Sequence, residues 1–148
     1  MNDAARLLPC PHCAAMNRVP EARLAEAPAC GRCHTRLFPA VPFALTAANF
    51  DIHALRSGVP LLVDFWAPWC GPCLQMAPAF ARAAPALEPA FRLGKVDTEA
   101  EPALGARFAI RSIPTLVLFA GGREVARHAG AIGTAQVVQW ARAQMSAR

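Results

Sequence analysis

Apolar and polar positions follow two distinct rhythms along this chain. From Leu61 to Trp66 the sequence is almost continuously apolar, broken only by Asp64, which is the pattern of a central strand covered on both faces. Met76, Phe80, Ala83 and Leu87 then recur at helical spacing, which predicts a helix starting near Pro72 with that stripe buried. Pro78 lies inside it. A proline there removes a backbone bond and crowds the preceding turn at about 3 kcal/mol, so a kink is expected just beyond residue 73. Val41 to Leu45 reads as a first strand, and Thr46 as the cap of a helix that stops at Ser57-Gly58. Further strands are expected over 91–96, 115–119 and 124–128, the last two flanking the turn signal Ala120-Gly121-Gly122. A short helix over 102–108 and a last one after Thr134, with Val137, Trp140 and Ala141 inward, complete the series. Alternating strands and helices imply parallel neighbours joined by right-handed crossovers, and the closing hairpin adds antiparallel strands. The fold class is therefore α/β, a mixed central sheet with helices on both faces.

Composition divides the chain. Residues 1–38 hold four of the six cysteines and no apolar stripe long enough for a core, so that segment needs a staple in order to fold. Pro39 and Pro42 stiffen the stretch that follows. The boundary is set there, with a small cysteine-rich domain over 1–38 and a larger domain over 39–148. A hydrophobic content of 55% against 17% charged residues excludes a disordered chain. The apolar runs are strand-sized, far below the roughly 20 residues that cross a bilayer, which argues against a membrane protein. The opening MNDAARLLPCPHC shows no basic start followed by a long apolar stretch, which points to the cytoplasm. In that reducing setting, metal binding or catalysis is a better reading of six cysteines than three structural disulfides. The net charge of +5 comes without a basic block, and Phe38 is the only aromatic residue of the first segment. Phosphate contacts and base stacking are poorly provided for, so nucleic acid is not an expected partner.

The strongest chemical signal is Trp69-Cys70-Gly71-Pro72-Cys73, at the junction of the apolar strand and the following helix. Unpaired N–H groups and the positive dipole end at a helix start stabilise a thiolate on Cys70, and thiolate is the attacking species. Two intervening residues let Cys73 reach the mixed disulfide that Cys70 makes with a substrate. Gly71 permits close approach, and Pro72 suits a first helical turn. Asp64, a carboxylate in an apolar strand, must find a partner or have its pKa raised by desolvation. It is read as a general base that deprotonates Cys73 through water, tuned by Lys95 on the adjacent strand; a solvated, edge-facing Asp64 is the alternative. Pro114 in Ile113-Pro114-Thr115 is a candidate cis proline, although a trans proline opening a strand is commoner. A cis bond would turn the Ile113 main chain toward the cysteines, where it could pair with an extended substrate segment.

Cys10-Pro11-His12-Cys13 and Cys30-Gly31-Arg32-Cys33 form two pairs separated by 16 residues, inside the spacing of a four-thiolate zinc site. One structural zinc ion on Cys10, Cys13, Cys30 and Cys33 would supply the folding energy that a segment without a core lacks. His12 and His34 fall outside the paired pattern. Extra disulfides or free thiols are the alternative.

Taken together, Val63 to Cys73, Pro78, Lys95-Val96-Asp97, Ile110 to Thr115 and Gly130 resemble the thioredoxin family over roughly 40–148. The resemblance implies the thioredoxin fold, a cis Pro114, Cys70 as nucleophile, Cys73 as resolving thiol and Asp64 as buried base. It also implies a docking surface that includes Trp69, Ile113 and Gly130, alongside Gly71, Pro72 and Pro114. An NADPH-dependent flavoprotein thioredoxin reductase is the implied electron donor, oxidised proteins with exposed disulfides are the implied substrates, and no organic cofactor is expected on the chain itself. Leu74 departs from the family, where a basic residue often follows the second cysteine, and Phe108 stands where tyrosine is common. A ribbon ahead of this domain resembles the zinc-bearing thioredoxin 2 type, in which the ribbon is expected to modulate or sense redox state. Two other functions stay open from sequence: a ribbon-based binding or adaptor protein carrying a redox domain, and a disulfide isomerase or oxidase.

Overall fold

The computed structural model describes residues 4–147; residues 1–3 and 148, the outermost of the two expected domains, lie outside them. The first strands, β1 (Ala5–Pro9) and β2 (Met16–Pro20), pair antiparallel in a two-stranded sheet. This hairpin is not foreseen by the sequence reading, nor is the small core beneath it, where Leu8, Val19, Leu37 and Phe38 pack with Cys10 and Cys30. The strands end on Pro9 and Pro20, which cannot donate into a ladder and so stop the pairing.

The larger sheet contains β3 (Phe43–Ala44), β4 (Leu61–Trp66), β5 (Arg92–Asp97), β6 (Thr115–Ala120) and β7 (Arg123–Ala129), in the order β3-β5-β4-β6-β7. β3, β5 and β4 run parallel, while β6 and β7 are antiparallel to their neighbours. The helices α1 (Phe50–Leu55), α2 (Gly71–Leu87) and α3 (Pro102–Arg107) connect these strands, and α4 (Thr134–Ser146) follows β7. Alternate residues of the central strands feed two cores. Leu62, Leu93, Leu116 and Leu118 meet Met76, Phe80 and Leu87 of α2 and Val137 and Ala141 of α4. On the opposite face Leu61, Val63, Phe65, Val96 and Val117 meet Phe50 and Ala54 of α1 and Leu104 of α3. Each buried Leu or Phe contributes about 1.5–3 kcal/mol, so these two layers hold the sheet. Gly121 and Gly122 make the β6–β7 turn with φ of +63° and +80°, values that glycine adopts without steric cost.

One expectation changes. The cap expected at Thr46 falls three residues later, on Asn49: the Asn49 side chain accepts from the Thr46 N–H at 2.7 Å, holding 46–49 in a turn before α1. Helix α2 continues through both Pro78 and Pro85, which lie on its exposed side, where water can satisfy the carbonyls that proline leaves unpaired.

The hairpin docks on the end of the larger sheet where β4 begins. Gly58 N–H donates to Leu7 O at 2.7 Å, Arg92 donates to Pro9 O at 2.6 Å, and Val59 enters the hairpin core. A Cβ on Gly58 would sit 2.8 Å from Leu7 N and 3.2 Å from Arg6 Cα, both backbone atoms that cannot rotate away. Gly58→Ala is thus expected to pry the hairpin from the sheet at a cost of about 1–3 kcal/mol. Faster proteolysis within 4–38 than in the wild type checks this, and an unchanged cleavage rate would contradict it.

Candidate active site and cysteine cluster

Cys70 lies in extended backbone (φ −90°, ψ 111°) as the N-cap of α2, and its Sγ accepts from the Cys73 N–H at 3.2 Å. The two cysteines form a disulfide, with their Cα atoms 5.2 Å apart. Pro72 occupies the first turn of the helix, where its missing N–H removes no hydrogen bond. Gly71 is exposed, and nothing lies within 4 Å of a Cβ built on it. Seventeen residues of helix aim their positive dipole end at Cys70, so the reduced sulfur is favoured as thiolate.

The Ile113-Pro114 bond is cis, and Ile113 O lies 3.7 Å from Cys70 Sγ. Ala67, Cys70 and Cys73 form one buried cluster against Trp66 and Ile113. Gly130 joins the same neighbourhood: its N–H donates to Pro114 O at 2.9 Å, and its φ of +104° requires glycine. Trp69 projects outward, 68% exposed. It borders a groove of about 300 Å³ that is also lined by Thr98, Pro102, Ile110, Arg111 and Ile113. Sequence-distant residues thus meet around one sulfur pair.

Asp64 is fully buried, and neither carboxylate oxygen has a hydrogen-bond partner among the described residues. Strand alternation puts it on the Leu62 face of β4, the face that α2 covers. Burial pushes its pKa up to about 7, and the positive charge of Lys95, its register partner on β5, opposes that shift. Lys95 Nζ stands 4.5 Å above the Trp66 ring rather than in an ion pair, so it acts on Asp64 through space. The edge-facing alternative for Asp64 is excluded.

The other four cysteines are unbonded and lie together, all four sulfurs within 4.8 Å of one another. Cys10 and Cys33 sulfurs are 3.5 Å apart, and Cys13 and Cys30 sulfurs 3.7 Å. A tetrahedron of about 2.3 Å metal–thiolate bonds requires sulfurs roughly 3.8 Å apart, so the set fits a four-thiolate metal site, and the sulfurs stand too far apart to be bonded to one another as disulfides. The two knuckles have equivalent geometry. In each, the N–H two residues on donates to the first sulfur, His12 to Cys10 at 3.3 Å and Arg32 to Cys30 at 3.4 Å. The residue after each pair, Ala14 or His34, has a positive φ. Neither His12 nor His34 belongs to the cluster.

A thioredoxin family model matches residues 41–143, which carry the sheet, the cysteine pair and the cis proline together. The chain belongs to the thioredoxin family. A second model, a zinc ribbon described as the N-terminal part of thioredoxin 2, matches residues 9–35. The chain is similar to thioredoxin C-3 of Corynebacterium nephridii, 48% identical over 134 residues that cover 90% of this chain and 92% of that protein. It is also similar to thioredoxin 1 of a Nostoc species, 44% identical over 88 residues, 60% of this chain and 82% of that one. A bifunctional thioredoxin reductase/thioredoxin of Mycobacterium leprae is 39% identical over 99 residues, 67% of this chain and 22% of that protein. This thioredoxin is accordingly a thiol–disulfide oxidoreductase preceded by a zinc-ribbon module. Among the described residues no helix is long and apolar enough to cross a membrane.

Two buried groups escaped the sequence reading. His53 of α1 is fully buried against Phe43, with both ring nitrogens unpartnered among the described residues. Desolvation, helped by the charge of Arg92, pulls its pKa down to about 3. Arg92 opens β5 with its guanidinium also fully buried. Both sit where periodicity predicts apolar residues, so only a charged residue inside an apolar strand could have flagged Arg92.

Proposed function

We propose that this thioredoxin is a cytoplasmic protein-disulfide reductase, with residues 39–148 as its redox domain and residues 1–38 as a zinc-bound ribbon. The observation that carries the reading is Cys70 Sγ at the start of α2, accepting from the Cys73 N–H and lying beside the Ile113 carbonyl. Reduced Cys70 attacks a substrate disulfide, its sulfur bonds to one substrate sulfur, and the other departs as a thiolate that takes a proton. Asp64 then accepts the Cys73 proton through water, Cys73 attacks Cys70 Sγ, and the second substrate thiol is released. Two electrons pass to the substrate, and the Cys70–Cys73 disulfide remains. Trp69, Gly71, Pro72, Ile113, Pro114 and Gly130 form the docking surface. There an extended substrate segment pairs with the Ile113 main chain.

An NADPH-dependent thioredoxin reductase restores the dithiol, a reading supported by the relative in which reductase and thioredoxin share one chain. Insulin reduction that depends on reductase and NADPH tests the whole proposal. Disulfide reshuffling without net reduction would instead favour an isomerase, and the absence of any exchange would favour an adaptor. Bound zinc supplies folding energy to the ribbon through Cys10, Cys13, Cys30 and Cys33. Oxidation of those thiolates would release the metal, giving the ribbon a redox-sensing role. Peroxide that oxidised the Cys70 pair yet left the zinc in place would end that part of the proposal.

Asp64 makes a prediction with a definite sign. Its pKa rises from 3.8 unfolded to about 7 folded, so between those values the folded state holds the extra proton and stability falls as pH rises. The cost saturates above pH 7, on the order of 4 kcal/mol. Asp64→Ala is therefore expected to be more stable than wild type by an amount that grows from pH 4 to 7, while turnover drops roughly 100-fold. Denaturant melts across that range, paired with insulin assays, check both halves; a variant that lost stability and activity together would contradict the base assignment.

A further inference from the structure

Arg92 is the least expected residue of the interior. Its side chain is fully buried, yet its single hydrogen bond is the 2.6 Å contact from Nη2 to Pro9 O, the residue just before Cys10. Nε and Nη1 have no partner among the described residues, and none of the ion pairs found there includes Arg92. The Phe43 ring covers its Cζ at 4.9 Å. A buried cation without a bonded anion is costly, and an apolar residue of similar volume is commonly neutral or better in such a place. Something else must favour a cation there.

The carbonyl that Arg92 reaches belongs to Pro9, directly before Cys10, and Glu88 is the nearby carboxylate that also attracts its charge. The Glu88 carboxylate accepts from the Ala40 N–H at 3.0 and 3.1 Å, which holds it in place with its charge intact and without a bond to the guanidinium. Cys10 belongs to a set of four sulfurs, and four thiolates around a divalent cation leave two negative charges. Those charges lie beside a low-dielectric seam closed by Leu8, Leu37, Phe38 and Val59, where charge–charge attraction is much less screened than in water.

We infer that Arg92 is a positioning residue of the metal site: its buried guanidinium is the counter-charge of the metal–tetrathiolate cluster and ties the ribbon to the start of β5. The inference rests on the zinc reading proposed above. Coupling of this kind is reciprocal. Arg92 strengthens metal binding, and metal binding relieves the isolated charge of Arg92 and steadies the N-terminal end of β5. That end is anchored by the Arg92 N–H donating to Pro60 O at 2.9 Å.

The test is Zn²⁺ affinity of the full chain, measured by competition with a chromophoric chelator under reducing conditions. Arg92→Met, which keeps the stem and removes the charge, is expected to bind Zn²⁺ about tenfold more weakly, within the usual range of site-to-site coupling. Arg92→Lys is expected to recover most of the loss, which a purely steric role would not produce. Hydrogen exchange on the wild type needs no substitution: removing the metal is expected to speed exchange of the Arg92 amide and leave the amides of β6 unchanged. Equal Zn²⁺ affinity in wild type and Arg92→Met, or an Arg92 amide indifferent to the metal, overturns the inference while the zinc reading stands. A wild-type chain that binds no Zn²⁺ overturns the zinc reading, and the inference falls with it.

Discussion

Cys73→Ser protein mixed with an oxidised substrate is expected to accumulate as a covalent complex through the Cys70 sulfur, whereas Cys70→Ser protein forms none. Cys70 caps α2 and accepts from the Cys73 N–H, so it holds the position where a helix start favours thiolate. Cys73, 1% exposed, is out of reach of a large disulfide until the first exchange has brought one sulfur to Cys70. With serine at 73 the mixed disulfide has no internal exit, because an alcohol does not displace sulfur at neutral pH. Either substitution is expected to reduce turnover by about 1,000-fold or more, since the two groups act as a unit whose losses do not add. Non-reducing electrophoresis and intact mass check the complex. A Cys70→Ser protein that still reduced insulin would place the nucleophile elsewhere.

Stripping the metal with a strong chelator is expected to unfold the segment that carries β1 and β2 while leaving the larger sheet folded. The small core beside the cluster consists of a few residues, two of them the ligands Cys10 and Cys30, whereas four-thiolate zinc contributes about 10–16 kcal/mol in peptides of this size. The two cores of the larger sheet draw on residues from Phe43 onward, so they do not depend on the ribbon for packing. Hydrogen exchange should show β1–β2 amides losing protection first, with α2 and β4 retaining theirs. A metal-free protein that kept β1 and β2 fully protected would mean that the hairpin holds without its ion.

The central part of this molecule is legible because its signals are local. Leu61 to Trp66 contains one polar residue and is a strand from end to end; the stripe Met76, Phe80, Ala83 and Leu87 is the buried face of α2. The cysteine spacings alone mark out both sulfur sets. What the sequence conceals depends on partners far along the chain. The burial of Arg92 is not legible because the carbonyl it reaches lies 83 positions away. The β1–β2 pairing is obscured because Leu7 is left 44% exposed while Leu8 is fully buried, so two adjacent leucines hide the alternation of the strand. The cis Pro114 is implied by family resemblance, while nothing in the local sequence of Glu88-Pro89 signals that it too is cis.

The two sulfur sets stand at opposite ends of β4. The ribbon rests on Gly58, Val59 and Arg92 where the strand begins, and Cys70 follows the far end at Trp66, about 17 Å away at the usual rise per residue. A chain carrying both metal-binding and cycling thiols risks scrambling them, because any thiolate within bonding reach of a mixed disulfide can intercept it. The length of one strand insulates the knuckles from each catalytic turnover.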